Sequence, residues 1–247
     1  MALYVTGDLH GGNEIWKLDA FAQDEGRALT KDDYVIVCGD FGLAEGAPAL
    51  GLGEDPDSAD LHAYWLRWLD EQPWTTLFVD GNHERFDLLG KLPEEAWRGG
   101  RVRRLAPSVL HLMRGCVFDV GGAAVFAMGG ASSHDRDART EGVDWWPEEL
   151  PGFDEMDQAE AALDRAGWKV DYVVTHAQPQ RVAAEAMLPR HPHTQDRLTS
   201  WLAWVDERLA YKHWYSGHLH VDKRVGERHT VVFSQVIRLN AHGKDKS

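Results

Sequence analysis

The sequence predicts an α/β protein in which two β-sheets form a sandwich flanked by helices. Three observations predict it. Short runs rich in Val, Tyr and Phe recur at residues 3–6, 34–38, 76–79, 117–120, 124–128, 172–175, 214–216 and 230–233; their length and composition are those of buried strands. Between several of them apolar residues fall at helical spacing, as in Leu61, Tyr64, Trp65, Trp68 and Leu69, or Leu198, Trp201, Leu202, Val205 and Leu209. Such stripes pack a helix against a sheet. From residue 103 to 128 the pattern changes to consecutive strands joined by turns, Gly121-Gly122 among them, which is the mark of a second sheet laid on the first.

Taken in order, strand 3–6 is followed by a helix at 14–24, and strand 34–38 by a Gly-, Ala-, Pro- and Asp-rich segment at 42–58, expected as a mobile loop. The helix carrying Trp65 and Trp68 leads into strand 76–79, and a short helix at 85–91 precedes the consecutive strands. A long connection at 129–152 is a candidate lid, since long loops in compact domains tend to be functional or disordered. Helices at 155–166 and 181–187 and the stripe carrying Trp201 and Trp204 complete the second half. These four tryptophans are read as core, and Cys38, inside a strand, as a small buried apolar residue. His191 and His193 flank Pro192 and receive no role; residues 241–247 are expected as a frayed tail. No internal repeat interrupts the chain, and 247 residues with 43% hydrophobic content suit one domain over 1–247.

Composition narrows the function. Two cysteines, Cys38 and Cys116, are too few for a disulfide framework, and no charged-then-apolar leader opens the sequence, so a cytoplasmic protein with reduced thiols is expected. Every hydrophobic stretch is interrupted well short of the roughly 20 residues a membrane helix needs. The formal net charge of -14 repels polyanions, so long nucleic acids are disfavoured as partners, while small phosphorylated substrates remain open.

The chemistry lies just beyond the strand ends. Residues 3–6 run into Gly7-Asp8-Leu9-His10-Gly11 and 34–38 into Gly39-Asp40; 76–79 leads through Asp80 into Gly81-Asn82-His83-Glu84; 172–175 ends at His176 and 214–216 at Gly217-His218-Leu219-His220. Five strands thus deliver Asp, Asn or His at their C-terminal ends, the edge of an α/β sheet where ligands bind. Oxygen and imidazole donors suit Mn, Fe, Zn or Co better than a thiolate-seeking ion. Asp8 and His10, like His218 and His220, are two residues apart and face the same way on an extended strand end, so each pair can chelate one ion. Each motif alone is an ordinary turn; the ordered set, always at a strand end, is not.

This ordered set resembles the calcineurin-like metallophosphoesterase family: GDLHG at Gly7, GD at Gly39, GNHE at Gly81, TH at Thr175 and GHLH at Gly217. The resemblance covers nearly the whole chain to about residue 220 and implies the four-layer αββα arrangement of that family. It implies that Asp8, His10, Asp40 and His220 hold one metal, that Asp40 bridges, and that Asn82, His176 and His218 complete the second. His83 is then a catalytic group and not a ligand. Two cations about 3.5 to 4 Å apart activate water and stabilise the entering and leaving oxygens of an in-line displacement, so hydrolysis needs no covalent enzyme intermediate. His83 can donate a proton to the leaving group or stabilise transition-state charge.

One departure is informative. The family's second motif often continues to an Asp that orients the catalytic histidine and an Arg that binds phosphate, yet Leu43 and Ala44 stand here. That separates the chain from the protein-phosphatase branch and leaves His83 to be oriented by another group, for which Glu84 is the candidate. Arg136 and Arg139, in the 129–152 segment ahead of Trp145-Trp146, are the candidates for phosphate binding; this segment looks like one found in small bacterial and phage members of the family. The tryptophans either form a lid over substrate or bury against the second sheet. The expected activity is hydrolysis of small or nucleotide-type phosphodiesters. Phosphomonoesterase activity is the alternative, followed by a non-catalytic metal-binding scaffold; a hydrolase of carboxylic esters or amides shares the metal chemistry and ranks lower on the resemblance alone.

Overall fold

The computed structural model describes residues 1–51, 56–187 and 195–239; His191, His193 and the expected frayed tail lie outside the described residues. The elements are β1 (Leu3–Thr6), α1 (Trp16–Gln23), β2 (Tyr34–Val37), α2 (Pro56–Glu71), β3 (Thr75–Phe78), α3 (Phe86–Leu89), β4 (Glu94–Trp97), β5 (Gly100–Ala106), β6 (Val109–Leu112), β7 (Cys116–Val120), β8 (Ala123–Met128), α4 (Phe153–Arg165), β9 (Tyr172–Thr175), α5 (Gln180–Met187), α6 (Arg197–Arg208), β10 (His213–Ser216), β11 (Lys223–Val225), β12 (His229–Val231) and β13 (Val236–Leu239).

Two mixed sheets result, ordered β13-β1-β2-β3-β6-β5-β4 and β11-β12-β10-β9-β8-β7. Parallel pairing at the centre of each, β1 with β2 with β3 and β8 with β9 with β10, lines the strand ends up on one edge. Alternation sorts the side chains: Val5, Ile36, Leu77 and Val79 meet Phe118, Val125 and Val174 between the sheets. Tyr4, Val35, Val37 and Phe78 face out, under Leu18, Leu66 and Leu88 of α1, α2 and α3. On the far side, Phe126, Val173 and Trp214 pack under α4 and α6. The predicted two-sheet sandwich flanked by helices is present, with Trp65 and Trp68 packed on one outer layer and Trp201 and Trp204 on the other.

The expected single break at residue 103 is not where the sheets divide. β5 and β6 stay in the first sheet, because β6 pairs in parallel with β3. Only the β7–β8 hairpin opens the second sheet; its Gly121-Gly122 turn takes φ of 64° and 82°, both left-handed, which matches a tight hairpin turn. β4, an edge strand that periodicity did not reveal, is held by ion pairs of Glu94 to Arg101 and Arg103 and of Glu95 to Arg104. Nor is the start of the 42–58 segment loose: Leu43, Ala44 and Ala47 are buried in the core under α2. No helix among the described residues is long and apolar enough to cross a membrane.

Candidate metal centre

The turns after β1, β2, β3, β9 and β10 converge on one point. Asp8, His10, Asp40 and His220 each offer a donor atom within 4.8 Å of the others, as do Asp40, His176 and His218. Asp40 belongs to both sets. Its Oδ2 lies 3.2 Å from His10 Nε2 and 3.3 Å from His176 Nε2, and Asp8 Oδ2 lies 3.1 Å from His220 Nε2. Asn82 joins through Oδ1, 3.1 Å from His176 Nε2. Every residue expected as a ligand is therefore brought together.

Convergence demands unusual backbone. His10, Asp40, His218 and His220 have φ of 40°, 45°, 67° and 51°, the left-handed region that costs a non-glycine residue on the order of 1–3 kcal/mol and collects at functional sites. The neighbouring glycines leave room for the donors. A Cβ on Gly81 would stand 2.0 Å from Asp40 Oδ1, and one on Gly39 would stand 2.2 Å from His176 Nδ1.

The donor set fits cations on grounds independent of motif. His176 Nδ1 donates to the Cys38 carbonyl at 2.7 Å, which turns Nε2 toward two acceptors, Asp40 Oδ2 and Asn82 Oδ1. His10 repeats the pattern, with Nδ1 on Glu14 Oε2 at 3.0 Å and Nε2 facing Asp40. Lone pairs pointed at lone pairs require either an extra proton or a cation. Burial opposes charge on these imidazoles, but Asp40 and Asp8 outweigh it and raise His10 to about 9 and His176 to about 10. A cation relieves the same conflict with neutral rings. Asp8 Oδ2 is buried and makes no hydrogen bond; its near neighbour is the Nε2 of His220, a second place where a cation between the two would satisfy both. His218 is driven the other way, down to about 4, by burial and by His176, leaving a neutral ring.

The groups that hold these donors escaped the sequence. Lys17, 3% exposed, sends Nζ to the carbonyls of Asp8 at 2.5 Å and Phe233 at 2.6 Å, pinning the first turn; burial lowers it to about 8 against the pull of Asp8 and Glu14. Ser133 Oγ accepts from Asn82 Nδ2 at 3.1 Å and so fixes which way the amide points. The Ser133 N–H donates to buried Glu149 at 3.3 Å. Asp80, 1% exposed, accepts from Arg114 Nη2 at 2.6 Å and Nε at 2.8 Å and pairs with His111 Nε2 at 2.9 Å. Its carbonyl takes the Gly130 N–H, tying the β3 turn to the 129–152 segment.

His83 stands at the rim. Its N–H donates to Asp40 Oδ1 at 2.7 Å, and its ring centroid is 5.5 Å from that of His10. Glu84 does not orient that ring. Both its oxygens take backbone N–H groups, Phe41 at 2.7 Å and Gly81 at 3.4 Å on one and Gly42 at 3.0 Å on the other, bracing the turns after β2 and β3. The contact on the imidazole comes from Arg139, whose Nη1 donates to Nδ1 at 3.3 Å while Nη2 is held by Asp135 at 2.9 Å. Arg136 is elsewhere, beside Asp137 and over Trp145. Trp146 is buried beneath Arg85, and neither tryptophan lines the cavity of about 560 Å³ that opens beside Asp40, Asn82, His83 and His218.

The chain is similar to several known proteins. Over 238 residues, 90% of this chain and 40% of the relative, it is 24% identical to the lariat debranching enzyme of Danio rerio. Over 140 residues, 55% of this chain and 24% of the relative, it is 28% identical to that of Drosophila pseudoobscura pseudoobscura. The chain thus spans less than half the length of these curated relatives. The solved structure of phosphopantetheinyl hydrolase from Mycobacterium tuberculosis superposes with a TM-score of 0.47 at 16% identity, covering 98% of this chain and 96% of that one. Residues 1–222 match the calcineurin-like phosphoesterase family, and the chain belongs to that family.

Proposed function

We propose that the protein hydrolyses small phosphodiesters, nucleotide-type ones among them, at a dinuclear metal centre. The observation that carries the reading is the pair of donor sets sharing Asp40. Asp8, His10, Asp40 and His220 would hold one ion, and Asp40, Asn82, His176 and His218 the other. Divalent cations such as manganese, iron or zinc supply Lewis acidity toward phosphoryl oxygens and activation of the attacking water.

The chain's own groups prepare that site. Glu14 and the Cys38 carbonyl hold His10 and His176 with Nε2 inward, and Ser133 holds the Asn82 amide. Because Arg139 donates to His83 Nδ1, the imidazole proton sits on Nε2. Burial lowers the His83 pKa, and Arg139 adds to this against the pull of Asp40, so the neutral ring is the form offered at neutral pH. A neutral N–H can donate to the departing oxygen as charge develops there.

Diesters are favoured over monoesters by what the wall lacks. The Asp and Arg of the protein-phosphatase branch are replaced by Leu43 and Ala44, both buried, and the guanidinium of Arg139 is already paired with Asp135. A monoanionic diester asks for less added positive charge than a dianionic monoester. The test is hydrolysis of a chromogenic diester and its monoester by manganese-loaded protein, with Asp40→Asn as control. Faster diester cleavage that disappears in the variant is expected. Faster monoester cleavage overturns the substrate choice, and metal-loaded protein that cleaves neither overturns the enzymatic reading in favour of a scaffold.

A further inference from the structure

Resting on the phosphoesterase reading, we propose that the cavity beside His218 binds the organic group of the substrate and selects an uncharged one, partly apolar and partly amide- or hydroxyl-bearing, over one carrying another phosphate or a carboxylate. The cavity is about 560 Å³, the size of a pocket that encloses a whole small organic ligand. It leads from the donor cluster to α5 and α6.

Its walls define the chemistry. Ala177, Ala183, Met187 and Leu219 supply apolar surface, while Ser132 and Gln180 supply neutral polar groups; Gln178 and Thr199 also line it, with the Gln178 amide already donating to the His176 and Gly217 carbonyls and the Thr199 hydroxyl accepting the Asp196 N–H. Among the described lining residues there is no lysine or arginine, and the carboxylates are Asp40 and Asp196. The N-terminus of α6, an element that ordinarily welcomes anions, is already capped: Asp196 Oδ1 accepts the Thr199 N–H at 2.7 Å. A second anionic group entering here would lose its water and meet Asp196, with no lysine or arginine among the described lining residues to receive it. An amide or hydroxyl finds hydrogen-bonding partners, and an apolar face finds the alanines and Met187.

Binding of three monoanionic phosphinates to manganese-loaded protein, measured by calorimetry, tests this without turnover. Dimethylphosphinate carries no group that reaches the cavity; methyl(4-carbamoylphenyl)phosphinate adds a neutral ring; methyl(4-carboxyphenyl)phosphinate adds the same ring with a charge. The neutral ring is expected to tighten binding at least tenfold over dimethylphosphinate, and the carboxylate to forfeit at least tenfold of that gain. Met187→Lys, on the partly exposed end of α5, is expected to narrow or reverse the difference between the two rings. In Ala183→Phe the ratio of ring to methyl affinity is expected to fall toward one. A ring that adds nothing, or a carboxylate that binds as well as the amide, overturns the proposal while the phosphoesterase reading stands. If none of the three binds metal-loaded protein, the phosphoryl site itself fails and takes the proposal with it.

Discussion

Replacing Arg114 with methionine is expected to be the most damaging single change away from the donors themselves. Asp80 is 1% exposed and holds two hydrogen bonds from Arg114 and one contact to His111. The Arg114 side chain is 7% exposed and also reaches Glu155. Methionine fills most of the volume but leaves the Asp80 charge buried with His111 alone, a situation that costs about 3–5 kcal/mol. For a chain of this length each kcal/mol moves the melting temperature by about 2–4 °C, so a fall of about 6–20 °C is expected in a thermal melt of metal-free protein. The double variant Asp80→Asn with Arg114→Met strands no charge and should recover at least half of the loss, a coupling that a double-mutant cycle reads directly. The pH dependence has a definite sign. Burial alone would raise the Asp80 carboxyl, yet Arg114 and His111 hold it well below the usual carboxylate range. Its stabilisation is therefore present above the unfolded value of about 4 and is lost as pH falls toward the folded one. The gap between wild type and Arg114→Met should narrow below about pH 4. A single variant that melts within about 2 °C of wild type, less than one kcal/mol by the same scaling, or a double variant no better than the sum of the singles, would refute the reasoning.

Other expectations address the site. Gly81→Ala drives a methyl group to 2.0 Å from Asp40 Oδ1, and its metal content by elemental analysis should collapse while the far-ultraviolet circular dichroism stays that of the folded chain. Ser133→Ala removes the acceptor that orients the Asn82 amide; manganese affinity should fall about 10- to 100-fold, the usual cost of losing a group that orients a ligand, and Ser133→Thr should restore much of it. Arg139→Ala frees the His83 ring. Its turnover should drop by about tenfold or more for an alkyl ester, whose leaving oxygen needs a proton, and far less for a nitrophenyl ester, which leaves without one. Equal losses on both esters would assign Arg139 to phosphate binding instead.

How much of this was legible depended on how far along the chain each partner lies. Asp8 and His10, Asn82 and His83, and His218 and His220 are local to their strand ends, so a strand followed by a glycine was enough to put them on one edge; the expected extended pairing was not met, because His10, His218 and His220 have left-handed φ and His218 and His220 fall in different donor sets. Their supports are not local. Cys38 reaches His176 across 138 positions, Asn82 reaches Ser133 across 51, and Asp80 reaches His111 across 31. No pattern within one element encodes such pairings. Lys17 shows the same limit from another side. It sits between Trp16 and Leu18 on α1 and reads as a helix-surface lysine until the Asp8 and Phe233 carbonyls are seen to surround its ammonium group. Sheet assignment failed at residue 103 for a related reason. β6 is indistinguishable in composition from a strand of the second sheet, and only its register with β3 places it.

The replacement of the branch-specific Asp and Arg is the point at which local reading and structure together say more than either alone. From the sequence, Leu43 and Ala44 announce a missing orienter for His83, and Glu84 is the nearest carboxylate. In the fold, those two positions are a buried apolar plug under α2, and Glu84 is occupied with the backbone of both neighbouring turns. The orienting role passes to a cation from a segment more than fifty residues away. This inverts the polarity of the device: a carboxylate partner accepts the Nδ1 proton and favours imidazolium, whereas a guanidinium donates to Nδ1 and disfavours it. On the function proposed, His83 would work as a neutral hydrogen-bond donor, stabilising the departing oxygen without arriving charged. That is a weaker acid catalyst, suited to esters whose leaving groups already depart readily, and it is why the comparison of alkyl with nitrophenyl esters in Arg139→Ala separates orientation of His83 from simple attraction of phosphate.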